Sequence, residues 1–464
     1  VEIAMIRPGP IQGGAVHPYV RRKLGKEKVT YAHPKLIEPL ERTLGIPVFQ
    51  EQLMQVAMAV GNCTGEDADL LRRAMGSKRG IERIEKLRDK LYAGMAENGL
   101  TGDAADDIYR KIQAFANFGF AESHSLSFGL LVYASSWLKL HYPAAFLASL
   151  LRAQPMGFYS PASLAADATR HGVEVRRPNL LLSGVEAGLE PLGAPTESPR
   201  DACLAFEQPP VPGLDRSAPF STDDHRRDAS VVVRLGLAEV KGIGTDLAER
   251  IVAERERAGP YLDLPDLVHR VGLSTSQLEA LATADAFECF GLTMREALWI
   301  AGSAAQNRSE FLAGSHLVVQ PPLFRLPGAA ETLVADLWAT GISPNDHPLR
   351  HTRELLDERG ALSASALATA ESGRRIEVAG IVTHRQRPST ASGITFMNLE
   401  DETGLVNVIC SVGVWKRYRR TARESPALII RGILERSAEG VTNVLADRME
   451  PLAVVARSSS RDFR

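Results

Sequence analysis

A chain of 464 residues, 44% hydrophobic and 24% charged, is long enough for several domains, each burying its own core. Its cysteines, Cys63, Cys203, Cys289 and Cys410, lie far apart with no C-x-x-C pair, which argues against a disulfide scaffold or a zinc ribbon and for reduced thiols in a cytoplasmic protein. The net charge of −2 hides cationic ends, residues 1–152 and 374–464, around an acidic middle, as expected if a polyanion meets the ends.

No secretory leader or membrane-length apolar run is apparent, and the first residue is Val1, so the chain is expected to begin inside a longer protein. Residues 1–46 carry Arg7-Pro8-Gly9-Pro10 and a basic run at Arg21–Lys28, a loop-rich entry with short helices. Pro47–Gly61 has helical composition, with Phe49, Leu53, Val56 and Val60 on one face. Thr64, followed three residues later by Asp67, predicts a capped second helix. On it sit Arg72 and Arg73, with Lys78 and Arg79 just beyond and no acid between Leu70 and Ile81. Such a run is either a solvated face or a phosphate contact. Asp67 and Asp69 form a D-x-D, but on a helix those positions point about 200° apart and cannot share a metal ion.

Helices are predicted at Glu82–Asn98 and Gly102–Ala116. Asn117–Pro143 follows, with Phe118, Glu122, Ser123 and His124 at its start and apolar residues nearly all round, so a buried helix is expected. His124 at its N-terminus reads either as a capping residue or as part of an anion site, where free N–H groups and the helix dipole favour phosphate. A short helix at Ala144–Arg152 completes this region, and 183–230, dense in Pro, Gly, Ser and Asp, reads as a linker.

Leu235–Glu256 predicts a helix-hairpin-helix: Lys241-Gly242-Ile243-Gly244 makes a tight turn whose backbone can approach DNA phosphates. Leu273–Phe287 looks like a degenerate second copy. In the connecting segment 301–373, Gln320, Leu323 and Phe324 fit the Q-x-x-L-F pattern that enters a sliding-clamp pocket. From Arg375 onward, five β-rich runs with a glycine in the first and a turn at Glu402-Thr403-Gly404 predict an oligonucleotide-binding barrel. Between its third and fourth strands lie Trp415, Lys416, Arg417 and Tyr418. These suit single-stranded nucleic acid by phosphate contact and stacking, or equally a basic helix packing Trp415 inward.

Taken in order, RPGP, Val48–Gln55, ADLLRRAMG at Ala68–Gly76, FGF-x-x-SH at Phe118–His124 and WLK-x-HYPA-x-F at Trp137–Phe146 resemble the C-terminal half of bacterial C-family DNA polymerases, the polymerase III alpha-subunit type. Replicative members typically read YGFNKSH where this chain has Phe118-Gly119-Phe120-Ala121-Glu122-Ser123-His124, so the resemblance is to the error-prone, damage-induced branch. It implies a multidomain, mainly α fold: helical fingers over 1–182, a linker over 183–230, tandem helix-hairpin-helix over 231–300, a connection over 301–373, an OB-fold over 374–455 and a disordered tail over 456–464. It also implies that Arg72, Arg73 and His124 contact the triphosphate of an incoming deoxynucleotide, that Phe118 lines the nascent base pair, and that Glu122 weakens that grip. Primer–template and single-stranded DNA would be bound, and a sliding clamp reached directly or through accessory proteins. The family's Mg2+ would be held by palm carboxylates outside this chain, leaving it without catalytic residues of its own. The alternative is a free-standing, non-catalytic DNA-binding or scaffold protein.

Overall fold

The computed structural model describes residue 5 and residues 16–75, 80–114, 120–157, 159–193, 225–305, 324–388, 391–437, 440–456 and 461–463. It divides into two compact units, Val1–Ser136 and Trp137–Arg464. No helix among the described residues is long and apolar enough to cross a membrane.

The first unit is helical. After α1 (Val16–Lys23) and short turns over 34–43, α2 (Gln50–Gly61), α3 (Gly65–Ala74), α4 (Gly80–Glu85), α5 (Arg88–Glu97) and α6 (Asp103–Ala114) surround one core. Leu53, Val56 and Val60 of α2 bury the stripe that the spacing predicts, against Leu71 of α3, Leu91 and Met95 of α5 and Ile112 of α6. The expected cap of α3 forms: Thr64 Oγ1 accepts from Asp67 N–H, and the Asp67 carboxylate accepts from Thr64 N–H at 2.7 Å. The long helix α7 (Glu122–His141) runs out of this unit. Its burial is not observed. Leu126, Leu130, Leu131, Val132 and Tyr133 are exposed, and His141 is its only buried residue. All-round apolarity measures a helix's tendency to be covered, and no buried cluster among the described residues draws on it.

The second unit holds two further cores and smaller clusters. Helices α8 (Pro143–Arg152) and α9 (Pro161–Arg170) pack on a three-stranded sheet in the order β1 (Val175–Arg176), β3 (Val231–Arg234), β2 (Gly188–Pro191). Part of the expected linker over 183–230 is therefore strand. Glu190 of β2 accepts from Arg234 on the adjacent β3 and from Arg176 on β1, one strand further, so alternation too short to register in the sequence is completed by charge pairs across the sheet. Residues 194–224 lie outside the described residues.

Next come α10 (Gly244–Ala258), α11 (Leu264–Val271), α12 (Thr275–Thr283), α13 (Met294–Ala304) and α14 (Ala329–Ala339). Their core includes Leu180 and Ala339, so the helical body reaches beyond 231–300 at both ends and takes in part of the expected connection. The Arg177 guanidinium binds the buried Asp336 carboxylate through two bonds of 2.6 and 2.9 Å and fastens α14 to it.

After α15 (Arg353–Glu358) and β4 (Ala361–Leu362), strands β5 (Arg375–Gln386), β6 (Thr395–Glu400), β7 (Leu405–Cys410), β8 (Ala427–Arg436) and β9 (Thr442–Pro451) close into the expected five-stranded barrel, β5-β6-β7-β9-β8 and back to β5. Only β7 and β9 pair in parallel within this ring. Gly380 of β5 is needed there, because a Cβ would lie 2.6 Å from the Cβ of Leu399 on β6. Within the expected tail, β10 (Arg461–Phe463) pairs in parallel with the far end of β5, which offers its free edge there.

Candidate nucleic-acid and nucleotide interface

Three places in the chain carry the predicted residues. In the first unit, Arg72 and Arg73 project from α3 into solvent. Both bind the Asp69 carboxylate, Arg72 Nη2 at 2.8 Å and Arg73 Nη2 at 2.5 Å, and these guanidinium groups, Arg72 first, hold that carboxyl below its ordinary range. The acid one turn back, just before the acid-free run from Leu70 to Ile81, thus shares both cations. Asp67 is held down at about 2 chiefly by Lys90, with the Thr64 cap adding to it. Both aspartates of the D-x-D are thus paired with side-chain cations of the chain.

The start of α7 is built by the segment around α2. Gln52, with no exposed surface, accepts from the N–H groups of Val48 and Phe49 through Oε1 and donates to Pro39 O and Thr43 Oγ1 through Nε2. This fixes the entry to α2, where Gln50 N–H meets Phe120 O at 3.1 Å. Phe120 is buried with Met5, Ile46, Val48 and Phe49. His124 is exposed, its ring edge-on between Phe120 (5.4 Å) and Phe128 (4.6 Å), each four residues away. Two acids occupy the helix entrance. Glu51 accepts from the Glu122 N–H at 2.9 Å, and the Glu122 carboxylate takes a guanidinium bond of 2.6 Å from Arg42. The negative charge of Glu122 is therefore paired rather than free. Glu51 and Arg42 escaped notice in the sequence because they lie 71 and 80 residues away. Among the described residues no hydrogen bond or ring contact joins Arg72 or Arg73 to His124. Phe118 lies outside the described residues, as do RPGP, Lys78 and Arg79.

The hairpin of the second unit forms as spaced, entered by a 3-10 turn over Leu237–Glu239 rather than a regular helix. Ile243 is buried and pins the turn, while Lys241, Gly242 and Gly244 are exposed. Both glycines have positive φ, +86° and +61°, which a residue with a Cβ adopts only under strain, and no atom lies within 4 Å of either Cβ position. Ile243 caps α10 with no side-chain bond, and among the described residues nothing accepts from the N–H groups of Gly242 or Gly244. The second copy differs in this respect. Leu273 is buried like Ile243, but Ser274 and Gln277 close a reciprocal cap on α12 that engages the Ser274 and Gln277 N–H groups, and Gly272 N–H donates to Val268 O. The first hairpin thus leaves open the Gly242 and Gly244 N–H groups, whose counterparts in the second, Gly272 and Ser274, are engaged.

On the barrel, α16 (Val412–Arg417) and α17 (Arg419–Glu424) lie between β7 and β8. Trp415 and Tyr418 pack partly buried against the barrel core, leaving Lys416, Arg417, Arg419 and Arg420 exposed. The buried Arg385 of β5 donates to Ala422 O at 2.6 Å and Ser425 O at 2.7 Å, locking the helices to the barrel. Of the clamp pattern, Gln320 and Leu323 lie outside the described residues; Phe324 sets its ring edge-on to the exposed Trp299 at 5.9 Å.

Known proteins share this arrangement of parts. Residues 1–99 match the bacterial DNA polymerase III alpha subunit finger domain, 172–297 a helix-hairpin-helix motif, and 376–452 an OB-fold nucleic acid binding domain. The error-prone DNA polymerase of Cutibacterium acnes is 56% identical over 473 aligned residues, an alignment covering 100% of this chain and 41% of that protein. Those of Nocardia farcinica and Mycobacterium tuberculosis are each 50% identical across 100% of this chain, which covers 38% and 39% of them. The chain spans about two fifths of the length of these curated relatives. With finger, hairpin and barrel in the same order and half or more of its residues shared from end to end, the chain belongs to the bacterial C-family DNA polymerases, in their error-prone branch, and matches the C-terminal part of its relatives.

Proposed function

We propose that the protein to which these residues belong is an error-prone DNA-directed DNA polymerase acting in translesion synthesis and repair in the cytoplasm, and that this chain supplies its contacts to the incoming nucleotide and to the primer–template. The observation that carries this reading is 56% identity over the whole chain to a relative of that name. The reaction is transfer of a nucleotidyl group from a deoxynucleoside triphosphate to a primer 3′-hydroxyl, and catalysis of that class consists largely of positioning and charge stabilisation. In this reading the exposed guanidinium groups of Arg72 and Arg73 exchange their shared carboxylate for the triphosphate, and His124, held by two phenyl rings, donates a hydrogen bond to it. Phe118 lines the nascent pair. The Lys241–Gly244 hairpin holds a duplex phosphate, and the cations Lys416 and Arg417 meet the single strand.

Polymerases of this kind use divalent cations, Mg2+ by resemblance, to clamp the attacking and leaving oxygens. The described residues do not fit that role: no three His, Cys, Asp or Glu side chains converge among them, and Asp67 and Asp69, two positions apart on α3, point about 200° from each other. No metal step is therefore assigned to this chain. Contact with a sliding clamp through Gln320–Phe324 is part of the same proposal.

The test is primer extension by the full-length gene product on templates with and without an abasic site. Extension past the lesion is expected, and failure to extend any primer overturns the reading. In that protein, replacing Arg72 and Arg73 by alanine is expected to raise the KM for deoxynucleotide roughly tenfold or more, leaving DNA affinity unchanged. An unaltered KM removes the triphosphate role.

A further inference from the structure

Beside the open hairpin stands a side chain that the helix-hairpin-helix motif, matched over 172–297, does not contain. Trp338, in the last turn of α14, is 48% exposed. The Lys241 ammonium lies 4.7 Å from the centre of its ring. The next residue ties the two elements together, Lys241 N–H donating to Ala339 O at 2.7 Å. Its helix is held in turn by Arg177 on the buried Asp336 carboxylate, with Ser343 Oγ donating to the same carboxylate at 3.0 Å. A large aromatic surface left in water is thus carried on a rigid support, against a turn in which, among the described residues, nothing accepts from the Gly242 and Gly244 N–H groups.

We propose that Trp338 is part of the nucleic-acid contact: its indole packs against the DNA nucleotide whose phosphate is held by Lys241 and the Gly242 and Gly244 N–H groups. This rests on the hairpin being a phosphate site, as proposed above. A cation over one side of the ring and a phosphate held by that same cation place the attached sugar and base within reach of the indole. Aromatic packing of this kind is tolerant of sequence and adds affinity without adding charge.

That last property separates the contact from a purely structural role. Binding of a fluorescein-labelled primed duplex with a single-stranded overhang to the 464-residue chain is measured across a salt series, thermal midpoints being checked for each variant. Trp338→Ala is expected to weaken binding roughly tenfold with the salt slope unchanged, Trp338→Phe to recover most of it, and Lys241→Gln to reduce the slope by about one. DNA should quench tryptophan fluorescence in the parent and quench it less in Trp338→Phe. If Lys241→Gln weakens binding while Trp338→Ala does not, the hairpin stands and the indole contact falls. If Trp338→Ala lowers the slope as Lys241→Gln does, the ring only positions the lysine and the proposal is overturned. If neither variant matters, the hairpin reading itself fails and takes the indole with it.

Discussion

Gln52 shows how much one polar side chain can decide in the first unit. With no exposed surface and bonds to two backbone N–H groups, a carbonyl and a hydroxyl, it joins the turn before α2 to the short helical turns over 39–43. Truncation leaves all four partners buried without replacement, so Gln52→Ala should cost about 2–4 kcal/mol. Denaturant unfolding of the chain checks this, and a loss below about 0.5 kcal/mol would mean that water takes over the bonds. The same segment places Glu51 under the first N–H of α7 and thereby settles what lies at that helix entrance. Glu122, which by resemblance marks a departure from accurate polymerases, is met by Arg42. The charge that Glu122 brings is therefore offset within the chain.

At the scale of elements, the two hairpins share a pattern of apolar pin and glycine turn yet differ in what their donors do. One is capped by Ser274 and Gln277, and the other is left open. The basic element on the barrel divides its residues between two tasks. Trp415 faces the core and Lys416 and Arg417 face solvent, so the two kinds of substitution should read out differently. Trp415→Ala is expected to destabilise by about 2 kcal/mol, seen as a lowered thermal midpoint. Lys416→Ala with Arg417→Ala should leave the midpoint in place and reduce the salt slope of single-strand binding by about one to two. Equal slopes in parent and double variant would remove these cations from the interface. The apolar face of α7, by contrast, stays uncovered, since periodicity states how much surface a helix would bury and not which surface comes to meet it.

In the second unit, burial shifts two groups in opposite senses. His347, whose Nδ1 accepts from Leu349 N–H at 3.2 Å, is driven down to about 4 by burial, the carboxylates Glu402 and Asp401 opposing. Its folded pKa is below the unfolded value of about 6.5, so between those two values the unfolded chain takes up a proton that the folded chain refuses. Stability from this group is lost as pH falls from about 6.5 to 4. Asp285, raised to about 6 by burial, works in the opposite sense, its folded form holding a proton that the unfolded form releases. The informative quantity is thus a difference. His347→Asn keeps an acceptor for the turn and removes the titration, so the parent should lose more thermal stability than the variant between pH 7 and 4.5. Parallel pH curves for the two would show that His347 titrates alike folded and unfolded.

Much of the architecture was legible because it rests on local rules. The stripe of α2, the Thr64–Asp67 cap, the glycine turn at 242–244 and the alternation of the barrel strands each depend on residues within one turn or one strand of each other. The resemblance, read from short motifs in order, likewise needed no coordinates. What escaped were pairings across long separations: Glu190 completing a sheet inside the expected linker, Arg177 reaching Asp336, β10 docking on β5, and Asp69 sharing both arginines just before the acid-free run. By itself, then, the sequence determined the kinds of element, their order and the chemistry each can offer. Only the tertiary structure decided which donors and cations remain unspent, because a partner 50 or 150 residues away leaves no periodic trace, and closing such a contact depends on how the whole unit packs.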